Sequence, residues 1–256
     1  MNGLDIVKHG VDMLLRNLGA AVRVSAGPFL IAVVVSALLA ALGLGAAFGP
    51  GLGAGQPPGA GWGFGLFLGG LLAMILWLFV FSWVAVAWHR FILKEERPGL
   101  LPPLRTDLVW PYLGRSILIA LILIVAAIPL GLVFGLVAGS SQSLVVAGIV
   151  GLLMALVLGW IGTRLSLILP ASAMERPMAL GESWAATAPA SGAIFLVVLI
   201  LALINFVLGS LFGLALGDNL VSAALSLIVQ WFLTMLGLSI LTTLYGHLVE
   251  RRPLAA

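Results

Sequence analysis

Long apolar runs alternate with short polar or glycine-rich connections along the chain. Each run is at least as long as the about 20 helical residues that cross a bilayer, and none alternates apolar and polar residues as a barrel strand does. The pattern predicts an all-α polytopic membrane protein with a single transmembrane domain over 1–256. The six predicted spanning helices are 24–48, 66–89, 113–139, 144–169, 192–216 and 220–248.

The composition supports the same class of protein. Apolar residues make up 62% of the 256 residues and charged residues 8%, whereas a soluble domain carries about 25% charged residues. A soluble fold of this length cannot bury so much apolar surface. The net charge of +3 gives no indication of nucleic-acid binding, so the expected partners are membrane lipids and, as a further class, other membrane proteins.

The basic residues divide the connections into two sets. Connections 49–65, 140–143 and 217–219 contain no lysine or arginine and a single acidic residue, Asp218. All 12 basic residues lie near the other connections and the chain ends. Because cytoplasmic loops carry the excess of lysine and arginine, we expect both termini in the cytoplasm and three short hairpins on the outside.

An amphipathic pattern precedes the first apolar run. Leucine and valine residues at helical spacing are interspersed with charged residues, which predicts an interfacial helix over 4–20. A frayed tail is the alternative. The charges within residues 1–23 also argue against a cleavable signal peptide.

Three of the predicted helices end in a similar motif. The motifs are Glu96-Arg97-Pro98, Glu175-Arg176-Pro177 and Glu250-Arg251-Arg252-Pro253, spaced almost evenly along the chain. Their recurrence predicts a threefold hairpin repeat, in which each copy contains an interfacial helix, an outgoing helix, a short loop and an incoming helix. Because every copy inserts in the same sense, the repeat axis would lie along the membrane normal. Chance recurrence is the alternative.

Glycine recurs at every fourth position near the ends of two outgoing helices. The two ladders are Gly131, Gly135 and Gly139, and Gly209, Gly213 and Gly217, with a weaker version at Gly45, Gly49 and Gly53. In lipid, such spacing lets helix backbones approach closely, as in a glycine zipper. We therefore expect these glycines to be helix-packing contacts that place both helices in the bundle core. A role in gating is the alternative.

Arg164 is the ionisable residue nearest to the middle of a predicted span. It precedes Pro170 by less than two helical turns. Its guanidinium could therefore snorkel to the cytoplasmic headgroups, with Glu175 or Glu182 as its partner. The alternative is a contact to a lipid phosphate or a substrate.

Two amide side chains lie within predicted spans, Asn205 in the fifth helix and Gln230 in the sixth. Ser222, Ser226 and Thr234 share the four-residue spacing of Gln230. An amide in hydrocarbon needs a hydrogen-bond partner, so we expect an interhelical pair between Asn205 and Gln230. A polar lining that contacts a transported lipid or substrate is the alternative.

Catalytic chemistry has little support in the sequence. The chain has no cysteine, which excludes disulfides, thiolate catalysis and cysteine-ligated metals. There is no His-Glu-x-x-His motif, and Ser191 and His247, the pair that a membrane serine protease would need, lack a Gly-x-Ser-x-Gly elbow. We expect no catalytic residue, no metal and no cofactor.

Two stretches resemble a group of bacterial inner-membrane proteins. They are Ala87-Trp88-His89-Arg90-Phe91-Ile92-Leu93 followed by Glu95-Glu96, and Arg164-Leu165 through Leu169-Pro170-Ala171 followed by Glu182-Ser183-Trp184 and Thr187. The chain is similar, over about residues 80–190, to uncharacterised six-helix proteins related to the membrane domain of some glycerophosphodiester phosphodiesterases. The resemblance implies a bacterial inner-membrane location and no activity, because the catalytic domain of the fused forms is a separate soluble domain.

These features predict a non-enzymatic integral inner-membrane protein that acts in envelope maintenance or as an accessory or scaffold subunit of a membrane complex. Ion-coupled transporters usually need a charged group within the membrane, and the middle of each predicted span has none. A transporter or channel for a lipid or a small neutral solute is the alternative.

Overall fold

A computed structural model describes residues 2–44, 62–99, 101–141, 143–211 and 219–253, and every regular element within these ranges is helical. The helices are α1 (Gly3–Arg16), α2 (Leu18–Leu39), α3 (Trp62–Lys94), α4 (Thr106–Ser141), α5 (Leu144–Leu165), α6 (Ile168–Ala173), α7 (Leu180–Thr187), α8 (Ser191–Leu211) and α9 (Leu220–Leu248). A π-helical turn, Ala40–Leu44, extends α2, and a 3-10 turn, Ala188–Ala190, joins α7 to α8.

Within the described residues, six stretches are long and apolar enough to cross a membrane. They are Leu18–Leu42, Phe67–Lys94, Thr106–Val137, Val145–Ala173, Leu180–Leu211 and Val221–Leu248. The prediction of an all-α polytopic membrane protein is therefore confirmed. The first and third stretches begin earlier than predicted, because α2 begins at Leu18 and α4 at Thr106. The fifth stretch begins earlier because it includes α7 and the 3-10 turn before α8.

The chain divides into two compact units, a large unit formed by residues 1–18 with 114–256, and a small unit formed by 19–113. In the large unit, α1 begins with a capping box. The Asn2 side chain accepts a hydrogen bond from the Leu4 N–H at 3.4 Å, and the Asp5 carboxylate accepts one from the Asn2 N–H at 3.2 Å. The predicted N-terminal amphipathic helix is present and a frayed tail is not, but the helix ends at Arg16 and not at residue 20, because the helix breaks at Asn17 before α2 begins at Leu18.

α1 packs against α8 and α9 through a face that contains small residues. A Cβ atom at Gly3 would lie 2.6 Å from the carbonyl oxygen of Ala193, and one at Gly10 would lie 2.8 Å from Cγ1 of Ile240. Only glycine allows so close an approach, so these two positions hold α1 directly against two spanning helices.

α5 is closely packed at its second half. A Cβ atom at Gly159 would lie 2.7 Å from Cγ1 of Val198 in α8, and one at Gly162 would lie 3.2 Å from Cδ1 of Leu123 in α4. Beyond them, Ile119, Leu165 and Ile168 form a buried cluster. The large unit therefore has a second set of tight helix contacts near the end of α5 that leads into α6, besides those of α1.

The described glycines of the two ladders have open space around them. A Cβ atom at Gly131, Gly135, Gly139 or Gly209 would meet no atom within 4 Å in the described part of the chain. Three of these four glycines, all except Gly131, are exposed. Gly213 and Gly217, together with Gly45, Gly49, Gly53 and Asp218, lie outside the described residues. No contact of these four glycines with a described helix is found, and the packing of the ladders in the bundle core stays a prediction.

Aromatic side chains pack along α3 in the small unit. The ring centroid of Phe29 in α2 lies 6.0 Å from that of Trp77 and 5.4 Å from that of Phe81. On α3, Phe79 lies 5.2 Å from Trp110, which is in the first turns of α4. Such pairs add about 0.5–1.5 kcal/mol each beyond the area that they bury.

The three Arg-Pro stops share one backbone geometry. Glu95, Glu175 and Arg251 have φ angles of 57°, 61° and 56°, in the left-handed region that commonly ends a helix. The next N–H in each case donates back to the preceding helix, at the carbonyl of Arg90, Ala171 or Gly246. About two turns before each left-handed residue, a large apolar side chain is buried, namely Trp88, Ile168 or Leu244. This common ending agrees with the predicted threefold repeat.

Candidate functional site

Arg164 lies in the last turn of α5 and is only 5% exposed. Its guanidinium carbon is 3.6 Å from the ring centroid of Trp184 and 5.1 Å from that of Trp160. Its Nε donates to Thr187 Oγ1 at 3.2 Å, and its Nη2 donates to the Trp184 carbonyl oxygen at 2.8 Å. The cation is therefore enclosed by two indole rings and by the polar groups of α7.

α7 also donates a hydrogen bond to α5, because Ser183 Oγ donates to the carbonyl oxygen of Arg164 at 2.7 Å. Within α7, Thr187 Oγ1 donates to the carbonyl oxygen of Ser183 at 2.9 Å. Ser183 and Thr187 are fully buried. We name Trp160, Arg164, Ser183, Trp184 and Thr187 the arginine clamp, because together they hold α7 against the end of α5.

The partners found for Arg164 differ from the predicted glutamates. The side chain forms no ion pair with Glu175 or Glu182 in the described part of the chain; Glu182 instead accepts a hydrogen bond from the Ala179 N–H at 2.8 Å and caps α7. Cation–π contacts strengthen where water is excluded, which favours the enclosed position over the headgroups. The Nε–Nη2 edge that a bidentate phosphate or carboxylate would use is already occupied by Thr187 and Trp184.

Asn205 and Gln230 do not form the predicted pair. The Asn205 Nδ2 donates to the carbonyl oxygen of Leu201 in its own helix at 2.9 Å. No hydrogen bond of the Gln230 side chain is found within the described residues. The main-chain carbonyl oxygen of Gln230 accepts a hydrogen bond from Thr234 Oγ1 at 2.8 Å. Both amide residues are exposed.

The histidines differ in their surroundings. His89 is fully buried in the small unit, and its Nε2 lies 3.2 Å from the hydroxyl oxygen of Tyr112, which is 4% exposed. His247 Nδ1 lies 2.9 Å from the carbonyl oxygen of Arg252, at the end of α9. Sequence reasoning places His89 at the membrane boundary but misses its contact with Tyr112, because no local periodicity relates positions on two different helices.

A second buried arginine, Arg90, forms an ion pair with Glu96 at the end of α3. Arg90 Nε donates to Glu96 Oε2 at 2.7 Å, and Arg90 Nη2 bonds the other carboxylate oxygen, so the pair is bidentate. Arg90 is 5% exposed, whereas the Glu96 side chain is 44% exposed. The hydrogen bond from Arg90 lowers the pKa of the Glu96 carboxyl, and the positive charges of Arg90, Lys94 and Arg105 act in the same direction. The pair therefore ties the chain after α3 back to the helix.

No group of three or more His, Cys, Asp or Glu residues that could hold a metal is found within the described residues. Fold and site define a multi-pass integral membrane protein whose two most buried arginines bind other groups of the same chain. Comparisons with protein-family models, curated proteins and solved structures find no match.

Proposed function

We propose that this chain is a non-enzymatic protein of a bacterial inner membrane, and that it acts in envelope maintenance or as an accessory or scaffold subunit of a larger membrane complex. The observation that carries the proposal is the exposure of two amides within membrane-spanning helices, Asn205 in α8 and Gln230 in α9.

An exposed amide is costly in hydrocarbon. Transfer of an amide from water to a solvent that cannot form hydrogen bonds costs about 4–8 kcal/mol. The Asn205 side chain bonds only the Leu201 carbonyl of its own helix within the described residues, which leaves further donor and acceptor capacity unused. A spanning helix of another polypeptide, with a hydrogen-bonding side chain at the same depth, would satisfy this capacity.

The arginine clamp supports a structural role over transport. A substrate or lipid site at Arg164 would need the guanidinium edge to be accessible, but Thr187 and the Trp184 carbonyl oxygen occupy it. The bacterial inner-membrane location rests on the distribution of basic residues and on the resemblance to membrane domains of some glycerophosphodiester phosphodiesterases. That resemblance brings no catalytic activity to the proposal.

Site-specific photo-crosslinking tests the proposal. A photoreactive residue is placed at position 205 or 230 in the full chain, in membranes of the native host. Position 207 is the matched control, because Val207 is 60% exposed on α8 but apolar. We expect positions 205 and 230 to give a crosslink to one second membrane polypeptide, which copurifies at a fixed ratio in mild detergent, and position 207 to give none.

Three outcomes would contradict the accessory role. Crosslinks from 205 and 230 only to other segments of the same chain would mean that the amides are satisfied internally. Crosslinks only to a second copy of this chain would mean that it forms a homo-oligomer and is not an accessory subunit of another protein. Equal crosslinking at 205 and 207 would mean that the polar positions select no partner.

A further inference from the structure

The small unit contains a cavity of ≈ 40 Å³ between the end of α3 and the proline-rich segment that leads to α4. Its charged lining residues are Arg90, Arg97, Arg105 and Glu96, and Pro98, Pro102 and Pro103 form much of the remaining wall. A water molecule needs roughly 10–15 Å³ of such space, so the cavity can hold a group the size of a few water molecules. We name it the boundary cavity, because it lies where a predicted span ends.

The lining of the boundary cavity carries more positive than negative charge. Arg90 bonds Glu96, and Arg105 bonds Asp107 outside the lining, with a distance of 2.9 Å between Nη2 and Oδ2. Arg97 is exposed and forms no ion pair or hydrogen bond with any described residue. The prolines have no N–H to donate, so an anion in the cavity would be held chiefly by guanidinium groups, which match the oxygens of a phosphate.

Exposed apolar side chains accompany these arginines. Leu101 is 50% exposed, Leu104 45% and Trp110 56%, and all three belong to the same segment or to the start of α4. Tryptophan beside arginine is typical of the level of the lipid headgroups. A ligand that satisfies both the guanidinium groups and these apolar side chains must itself be amphiphilic.

We propose that the boundary cavity binds the phosphate of an anionic phospholipid. Arg97 donates to the phosphate oxygens, while Leu101, Leu104 and Trp110 contact the glycerol and the upper part of the acyl chains. Arg105, whose Nε and Nη2 both donate to Asp107, adds positive charge beside the phosphate. This inference goes beyond the accessory role and does not depend on it, because it concerns a lipid and a different unit of the chain.

Native mass spectrometry of the full chain, released from nanodiscs that contain phosphatidylcholine with added phosphatidylglycerol, tests the site. Arg97→Gln removes one charge from the cavity, and Arg176→Gln is the matched control, since Arg176 precedes Pro177 as Arg97 precedes Pro98. We expect the retention of one phosphatidylglycerol to fall about tenfold in Arg97→Gln, which corresponds to the loss of one charge-assisted hydrogen bond. Retention by Arg176→Gln should equal that of the unchanged protein.

Thermal melting of the same samples separates binding from folding. Arg97 is exposed, so Arg97→Gln should melt at the temperature of the unchanged protein, and Arg105→Gln serves as a second variant with the same expected loss of lipid. Equal loss of phosphatidylglycerol in Arg97→Gln and Arg176→Gln would overturn the site, because the effect would then be one of total charge. Unchanged retention in Arg97→Gln would also overturn it.

Two further probes distinguish the source of the phosphate. Inorganic phosphate at millimolar concentration should not displace phosphatidylglycerol, because it makes no contact with the apolar side chains. If inorganic phosphate displaced the lipid from the unchanged protein but not from Arg97→Gln, the occupant of the cavity would be free phosphate and not a phospholipid. Retention of phosphatidylcholine equal to that of phosphatidylglycerol would show that the cavity does not select an anionic lipid.

Discussion

Arg164 shows how strongly the surroundings of one residue determine its function. Its distance from the end of the span favours a snorkelling cation, yet the structure holds the guanidinium between Trp160 and Trp184 and bonds it to Thr187. A planar guanidinium stacks on indole rings and donates in fixed directions, whereas an ammonium does neither in the same way. The clamp therefore depends on arginine itself as well as on positive charge.

We predict that Arg164→Lys destabilises the protein. The lost stacking and the misdirected hydrogen bonds should lower the free energy of unfolding by about 1–3 kcal/mol. Thermal melting in detergent measures the change. Arg176→Lys is the control, because Arg176 is exposed at a helix stop and should tolerate lysine. Equal melting temperatures for Arg164→Lys and the unchanged protein would restore the snorkelling interpretation.

The Arg90–Glu96 pair predicts a dependence of stability on pH. The pKa of Glu96 is lowered in the folded protein by the hydrogen bond from Arg90, so the unfolded chain binds the proton at higher pH than the folded one. The stabilisation is thus present above the ordinary glutamate pKa of about 4.3 and is lost as the pH falls through the lowered value. The unchanged protein should melt at a higher temperature than Glu96→Gln at pH 7, and this difference should shrink as the pH falls from 7 to 3.

A neighbouring carboxylate provides the control for this pH experiment. Glu95→Gln removes one carboxylate from the same connection, but Glu95 forms no ion pair with a described residue. Its variant therefore measures the general effect of the lost charge. If the difference between Glu96→Gln and the unchanged protein were the same at every pH, the Arg90–Glu96 pair would not stabilise the fold.

At the scale of the element, helix contacts depend on individual glycines and not on the most regular glycine pattern. The ladder on α4 is exposed or half-buried, whereas Gly159 on α5 and Gly10 on α1 lie directly against another helix. A regular four-residue spacing permits close packing, but it does not require a neighbour on that face. The contacts form where two helices converge, which in the large unit is along α1 and near the end of α5.

We predict that Gly159→Leu destabilises the packing of α5 on α8. An added Cβ alone would lie 2.7 Å from Val198 Cγ1, and overfilling of a packed interface typically costs about 1–3 kcal/mol. Gly135→Leu, at a ladder position with open space around it, should melt like the unchanged protein. A lower melting temperature for Gly135→Leu than for Gly159→Leu would mean that the ladder of α4 packs against a neighbour after all.

At the scale of the whole molecule, the distribution of basic residues predicts the orientation in the membrane. The chain has no cysteine, so single cysteines can be introduced without background. A cysteine that replaces Asp218 should react with an impermeant thiol reagent in intact cells. One that replaces Glu96, whose side chain is 44% exposed, should react only after lysis. The reverse pattern would invert the topology and place the boundary cavity on the outer side.

Hydropathy by itself determined the class of the protein and the number of its spanning helices. In hydrocarbon every backbone N–H and C=O must be satisfied within its own segment, so a run of about 20 apolar residues has one stable form, the helix. The stops at Glu95, Glu175 and Arg251 were also predictable, because proline follows each of them and cannot continue the helix.

Only the tertiary structure decided which residues contact one another. Lipid is as apolar as a leucine side chain, so apolar positions carry no signal that separates a face packed on a helix from one that faces lipid. For this reason the ladder at Gly135 and the pair of Asn205 with Gln230 were predicted as contacts and were not found, whereas the enclosure of Arg164 by Trp184 was not predicted. Those contacts depend on how helices far apart in sequence converge, which local spacing does not encode.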